Sequence, residues 1–136
     1  MVCAALLVSS HGALADFVQQ GPKLLGTVEV ASQGSSVALS ADGNTAIVGG
    51  PSDVGGIGAA WIFTRKGGTW TRQGDKLVGT GAAGKAGQGV SVALSAGGDI
   101  AIVGGPYDNG GVGAAWVFMR RFDGTWIQSG DKLRPR

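Results

Sequence analysis

The sequence predicts an all-β fold of repeated four-stranded antiparallel meanders, and three observations carry that prediction. Residues 36–63 and 91–118 are nearly the same segment. SVALSADGNTAIVGGPSDVGGIGAAWIF returns 55 positions later as SVALSAGGDIAIVGGPYDNGGVGAAWVF, identical at 21 of 28 positions without a gap. A repeat of this length means an array of one supersecondary unit. Short apolar runs alternate with turns rich in Gly, Asn and Asp, the pattern of hairpin-linked strands. Glycine supplies 27 of 136 residues with no Gly-X-Y period, which excludes collagen and leaves tight turns and crowded backbones as its use.

Each unit divides into four strand-like runs. In the first unit they cover residues 35–40, 45–49, 59–65 and 69–78. Ala41-Asp42-Gly43-Asn44 turns the first run into the second, and Gly50-Pro51 closes the second, because proline has no N–H to give a ladder. A glycine-rich loop over 52–58 and the turn Lys66-Gly67-Gly68 make the remaining links. All are short and none reads as helical. The run Ala59-Ala60-Trp61-Ile62-Phe63 is apolar on both faces, so the sheet must be covered on both. In an array of meanders the cover is the next meander. Four-stranded sheets stacked radially are the blades of a β-propeller. Trp61, Trp70, Trp116 and Trp126 recur at equivalent places and are assigned to inter-blade packing rather than ligand stacking.

The phase of the repeat sets the organisation. Gln20-Gly21-Pro22-Lys23-Leu24 matches Gln73-Gly74-Asp75-Lys76-Leu77, and Gly130-Asp131-Lys132-Leu133 opens the same run a third time. The chain therefore divides into a leader-like segment (1–15), a fourth-strand remnant of a preceding blade (16–34), blade one (35–78), a connection (79–89), blade two (90–133) and a tail (134–136). Two blades do not close a ring, since propellers have about 4–8. Further blades from a longer chain, or self-association, are expected to complete it. The end blades are expected to bare Trp61, Phe63, Trp116 and Phe118 or their neighbours.

Composition narrows the partners. Eleven basic and nine acidic residues give a net charge of +2, scattered along the chain. That leaves no basic stripe for nucleic acid. The apolar run over 2–8 is too short to span a bilayer. With Ala13-Leu14-Ala15 before Asp16, it reads as a secretory signal peptide lacking a basic n-region; an ordinary first strand is the alternative. Cleavage there removes Cys3 and His11, the only Cys and His. The mature chain then has no Ser-His-Asp, Cys-His or zinc-binding system. Export to the periplasm, cell surface or medium is the expected location.

Asp53 and Asp108 are the only acidic residues repeated in register within the ungapped stretch, in the loops PSDVGG and PYDNGG. Paired carboxylates about 5–9.5 Å apart can hydrolyse glycosides, but nothing nearby makes one an acid and the other a base. A turn-stabilising role is the preferred reading. If these loops bind anything, Asp53, Tyr107, Asp108 and Asn109 are the candidate contacts. GGPSDVGGIG lacks the Gly-Lys-Ser/Thr ending of a phosphate loop. No catalytic residue, cofactor or metal is assigned.

An apolar strand, a turn, a second apolar strand and then Gly49-Gly50-Pro51 or Gly104-Gly105-Pro106 together resemble the FG-GAP repeat of integrin alpha subunits and bacterial surface proteins. The likeness is to the bacterial FG-GAP-like subgroup and covers residues 17–133. At the FG element, Gln33-Gly34 and Gln88-Gly89 carry Gln in place of Phe. The resemblance implies a propeller. It also implies an oxygen-rich calcium loop between the first two strands, but here that loop is cut to Ser40–Asn44 and 95–99, with one carboxylate each. Calcium takes 6–8 oxygens, so no calcium site is expected. The function expected is a non-enzymatic exported propeller module, binding a protein or glycan or serving structurally at the cell surface. The alternative is a scaffold fragment of a larger propeller enzyme whose catalytic residues lie outside this chain.

Overall fold

The computed structural model describes residues 16–26 and 30–136. The leader-like segment 1–15, with its Ala-Leu-Ala pattern, lies outside them. The chain forms two antiparallel sheets of four strands, each in sequential order. The first holds β1 (Ser36–Leu39), β2 (Thr45–Gly50), β3 (Ala59–Lys66) and β4 (Thr69–Arg72). The second holds β5 (Ser91–Leu94), β6 (Ile100–Gly105), β7 (Ala114–Arg120) and β8 (Trp126–Gln128). The registers match across the repeat: Val48 faces Trp61 and Val103 faces Trp116. These are two propeller-blade-like meanders.

Local chemistry explains the turns. The Ser40 hydroxyl donates to Asp42 at 2.6 Å, and the Asn44 N–H donates to the same carboxylate oxygen at 2.9 Å. Those two bonds, the serine's foremost, hold the Asp42 carboxyl below its ordinary pKa. In the second unit the carboxylate has moved to Asp99, yet the Ser95 hydroxyl still finds it at 2.6 Å. The serine, not the aspartate position, is the invariant of this turn.

The two faces of β2 and β3 meet different neighbours. Ile47, Ala60 and Ile62 point toward the second sheet and join Ala101, Val103, Trp116 and Phe118 in one core. Ala46, Val48, Trp61 and Phe63 point the other way and are covered by Leu24, Ala31 and Trp70. Leu24, Gly26 and Ala31 thus lie on blade one as the connection 79–89 lies on blade two. Gly26 and Gly79 rest on the Trp61 and Trp116 indoles. A Cβ on Gly79 would come within 2.1 Å of the ring, a distance that no side chain can occupy.

Three expectations change. The fourth strand does not run to residue 78 but ends at Arg72. Gly74 takes a left-handed conformation (φ 70°), and the chain kinks out before Leu77 returns to pair with Ala60. The loop 52–58 is not open but a tight turn over Asp53–Gly56, left-handed at Val54 and Gly55, and it is matched by Asp108–Gly111, left-handed at Asn109 and Gly110. Finally, Trp61, Phe63, Trp116 and Phe118 are all buried. The exposed apolar residues on the outer faces are instead Val37 and Leu39 at one end and Ile100, Ile102, Met119 and Ile127 at the other.

Candidate functional site

The loops after β2 and β6 meet the connection 79–89 at one end of the sheets. Backbone bonds knit them together: Gly87 N–H donates to Gly56 O at 2.9 Å, Tyr107 N–H to Ala86 O at 3.1 Å and Asn109 N–H to Ala83 O at 2.9 Å. Each of these tight turns passes through a non-glycine residue with positive φ, Val54 at 46° and Asn109 at 50°. Asparagine tolerates that region; a β-branched valine is strained there.

The repeated aspartates do not face solvent. Asp53 and Asp108 are buried, and each carboxylate accepts from a lysine just past the fourth strand of its own sheet. Lys76 reaches Asp53 at 2.6 Å, and Lys132 reaches Asp108 at 2.6 Å. The Ala83 N–H also donates to Asp108 at 2.7 Å. Burial works against the ionised form of Asp108, but Lys132, the Ala83 amide and the charge of Arg134 outweigh it. Its carboxyl therefore titrates below the ordinary value. A buried carboxylate held this way anchors a loop. Both side chains are buried with one carboxylate oxygen on a lysine, and the second oxygen of Asp53 has no hydrogen-bond partner. Tyr107 and Asn109 stay at the surface, Tyr107 with 61% of its area exposed.

Tyr107 forms one wall of a saddle between the two blades. The cavity, about 480 Å³, is lined by Pro51, Ser52, Lys85, Gly87, Val90 and Tyr107 among others. Gly87 makes the floor: a Cβ there would meet the tyrosine ring at 2.7 Å. The saddle offers an aromatic face, an ammonium and a hydroxyl, with no free carboxylate in its lining. A second groove, about 410 Å³, runs along the seam by Gln73, Asp75, Asp123 and Trp126. Its polar groups are partly spent on each other: the Trp126 indole N–H donates to Gln73 at 3.3 Å, and the Thr125 hydroxyl to Asp123 at 2.6 Å.

Two features escaped the sequence reading. Lys85 and Ser52 were not singled out. The available signal was that Gly79 to Gln88 spans nine residues and Gly26 to Gln33 spans seven; Lys85 sits in the longer connection. The other is the role of the glutamine repeated in the two units, Gln33 and Gln88. Gln88 is fully buried, and its amide accepts from Gly79 N–H at 2.5 Å and donates to Gly79 O at 3.0 Å. Gln33 binds Gly26 N–H and Leu24 O in the same manner. These glutamines clamp the covering segment onto each blade.

Among the described residues, no group of three or more His, Cys, Asp or Glu is arranged to hold a metal ion. No helix there is long and apolar enough to cross a membrane. Compared with known proteins, the chain matches no protein-family model and no curated protein.

Proposed function

We propose that this chain is an exported, non-enzymatic propeller repeat module of the FG-GAP-like kind, binding a protein or glycan at the cell surface through the saddle between its blades. The observation that carries this reading is the exposed Tyr107 ring over a glycine floor, with Lys85 beside it. An aromatic face stacks on the C–H face of a sugar or on a peptide, and an ammonium fixes orientation through hydrogen bonds or charge. The buried carboxylates support the non-enzymatic part. General acid–base work needs a group within reach of substrate, and Asp53 and Asp108 are each spent on a lysine.

A glycan array followed by calorimetry on the purified chain tests this. Tyr107→Ala and Lys85→Ala should each weaken a ligand found that way by about tenfold, the effect of losing roughly 1.4 kcal/mol, while far-ultraviolet circular dichroism stays unchanged. Hydrolytic turnover that disappears in Asp108→Asn with the fold intact would overturn the proposal.

A further inference from the structure

The internal repeat allows each outer face to be compared with the same face elsewhere in the molecule. Ile47 and Ile62 on blade one are fully buried against blade two. Their counterparts one repeat on, Ile102 and Val117, lie on the outer face of blade two, where Ile102 is 42% exposed. Ile100, Met119 and Ile127 extend that apolar face. At the opposite end, Val37 and Leu39 are the counterparts of Val92 and Leu94. Val92 and Leu94 pack into the inter-blade core, while Leu39 is 60% exposed. One end of the chain thus carries the donor half of an interface, and the other end carries its receiving half. The finished version sits in the middle.

We infer that the outer face of blade two receives blade one of a second copy, in the head-to-tail manner of the interface inside the chain. Leu39 and Val37 of the second copy then lie against Ile102 and Ala93 of the first, as β5 now lies against β1 and β2. Polar groups repeat as well. Inside the chain the Ala41 N–H donates to Ala96 O at 2.9 Å and the Ser36 hydroxyl to Gly89 O at 2.8 Å. One repeat on, the Ala96 N–H and Ser91 hydroxyl of the first copy face Ala41 O and Gly34 O of the second. The covering residues are also in place, because Gly26 lies on Trp61 as Gly79 lies on Trp116, with Leu24 and Ala31 beside it. One element is duplicated: Gln20 holds the Trp70 indole N–H at 3.1 Å, as Gln73 holds that of Trp126, and Ser129 of the first copy takes this position in the assembly, so residue 20 yields. Contacts of this heterologous type leave one face of each kind free, so they propagate into rings or open chains.

Sedimentation velocity on the full chain tests the inference. The chain should show association that grows with concentration. Ile102→Lys and Leu39→Lys, both at exposed positions, should each be monomeric with unchanged circular dichroism. Mixed one to one, they should form a capped dimer, because each supplies the face that the other lacks. The inference is overturned if the parent chain stays monomeric at a few hundred micromolar. It is equally overturned if either variant alone still associates, or if the mixture remains monomeric, since a two-fold interface or a different partner surface gives those results.

Discussion

Replacing Gln88 with alanine should be among the most damaging single changes outside the apolar core. The side chain is fully buried and makes both its bonds to one residue, accepting from Gly79 N–H and donating to Gly79 O. Alanine leaves a donor and an acceptor without partners, and Gly79 is itself buried against Trp116. An orphaned buried polar group costs about 1–3 kcal/mol. With partial relaxation, the pair and the space left behind should total about 2–4 kcal/mol. Gln33 offers an internal control, because it makes the equivalent clamp in a half-buried setting. Water can replace much of what Gln33→Ala removes, so that variant should lose only about 1 kcal/mol. Urea unfolding followed by tryptophan fluorescence measures both. Equal losses at the two positions, or a loss below about 0.5 kcal/mol for Gln88→Ala, would refute the clamp argument.

Val54→Asn, which copies the second unit's Asn109, should raise stability by about 1 kcal/mol, because a branched residue at φ 46° gives way to one that tolerates it; thermal melts should show an increase of a few degrees. Asp108 has a folded-state pKa below its ordinary value, so its contribution is fully present above about pH 4 and fades as pH falls through the lowered pKa. Asp108→Asn should therefore destabilise at pH 7 and flatten the acid limb of a stability–pH curve; an unchanged limb would count against the Lys132 latch.

The eight strands were legible because the same apolar runs occur twice between the same turn residues. A coincidence of that kind fixes strand order even where alternation is absent. Strand ends were less legible. The kink after Arg72 depends on Gly74 and on Leu77 returning to Ala60, a tertiary pairing with no local signature. The sequence pointed to Trp61 and Phe63 as the bare end face because it counted blades but not the covering segment. Leu24 and Ala31 lie outside the named strands and yet cover that face. Asp53 and Asp108 were correctly suspected of shaping their loops, but the lysines that hold them lie more than twenty positions away. Only the third occurrence of the Lys-Leu pair hinted that Lys76 and Lys132 belong to the unit. Lys85, in a connection two residues longer than its counterpart between Gly26 and Gln33, had no such hint.

The placement of those lysines has a mechanical consequence. Lys132 and Leu133 follow β8, yet they fasten back to the loop after β6 and to Ala115 of β7. A pull on the end of the chain therefore loads the ion pair and the bridge before it reaches the β8 ladder. Lys76 and Leu77 do the same for the first sheet. Each meander thus carries a clasp behind its fourth strand, so tension applied from the C-terminal side meets that clasp before the ladder of its own sheet.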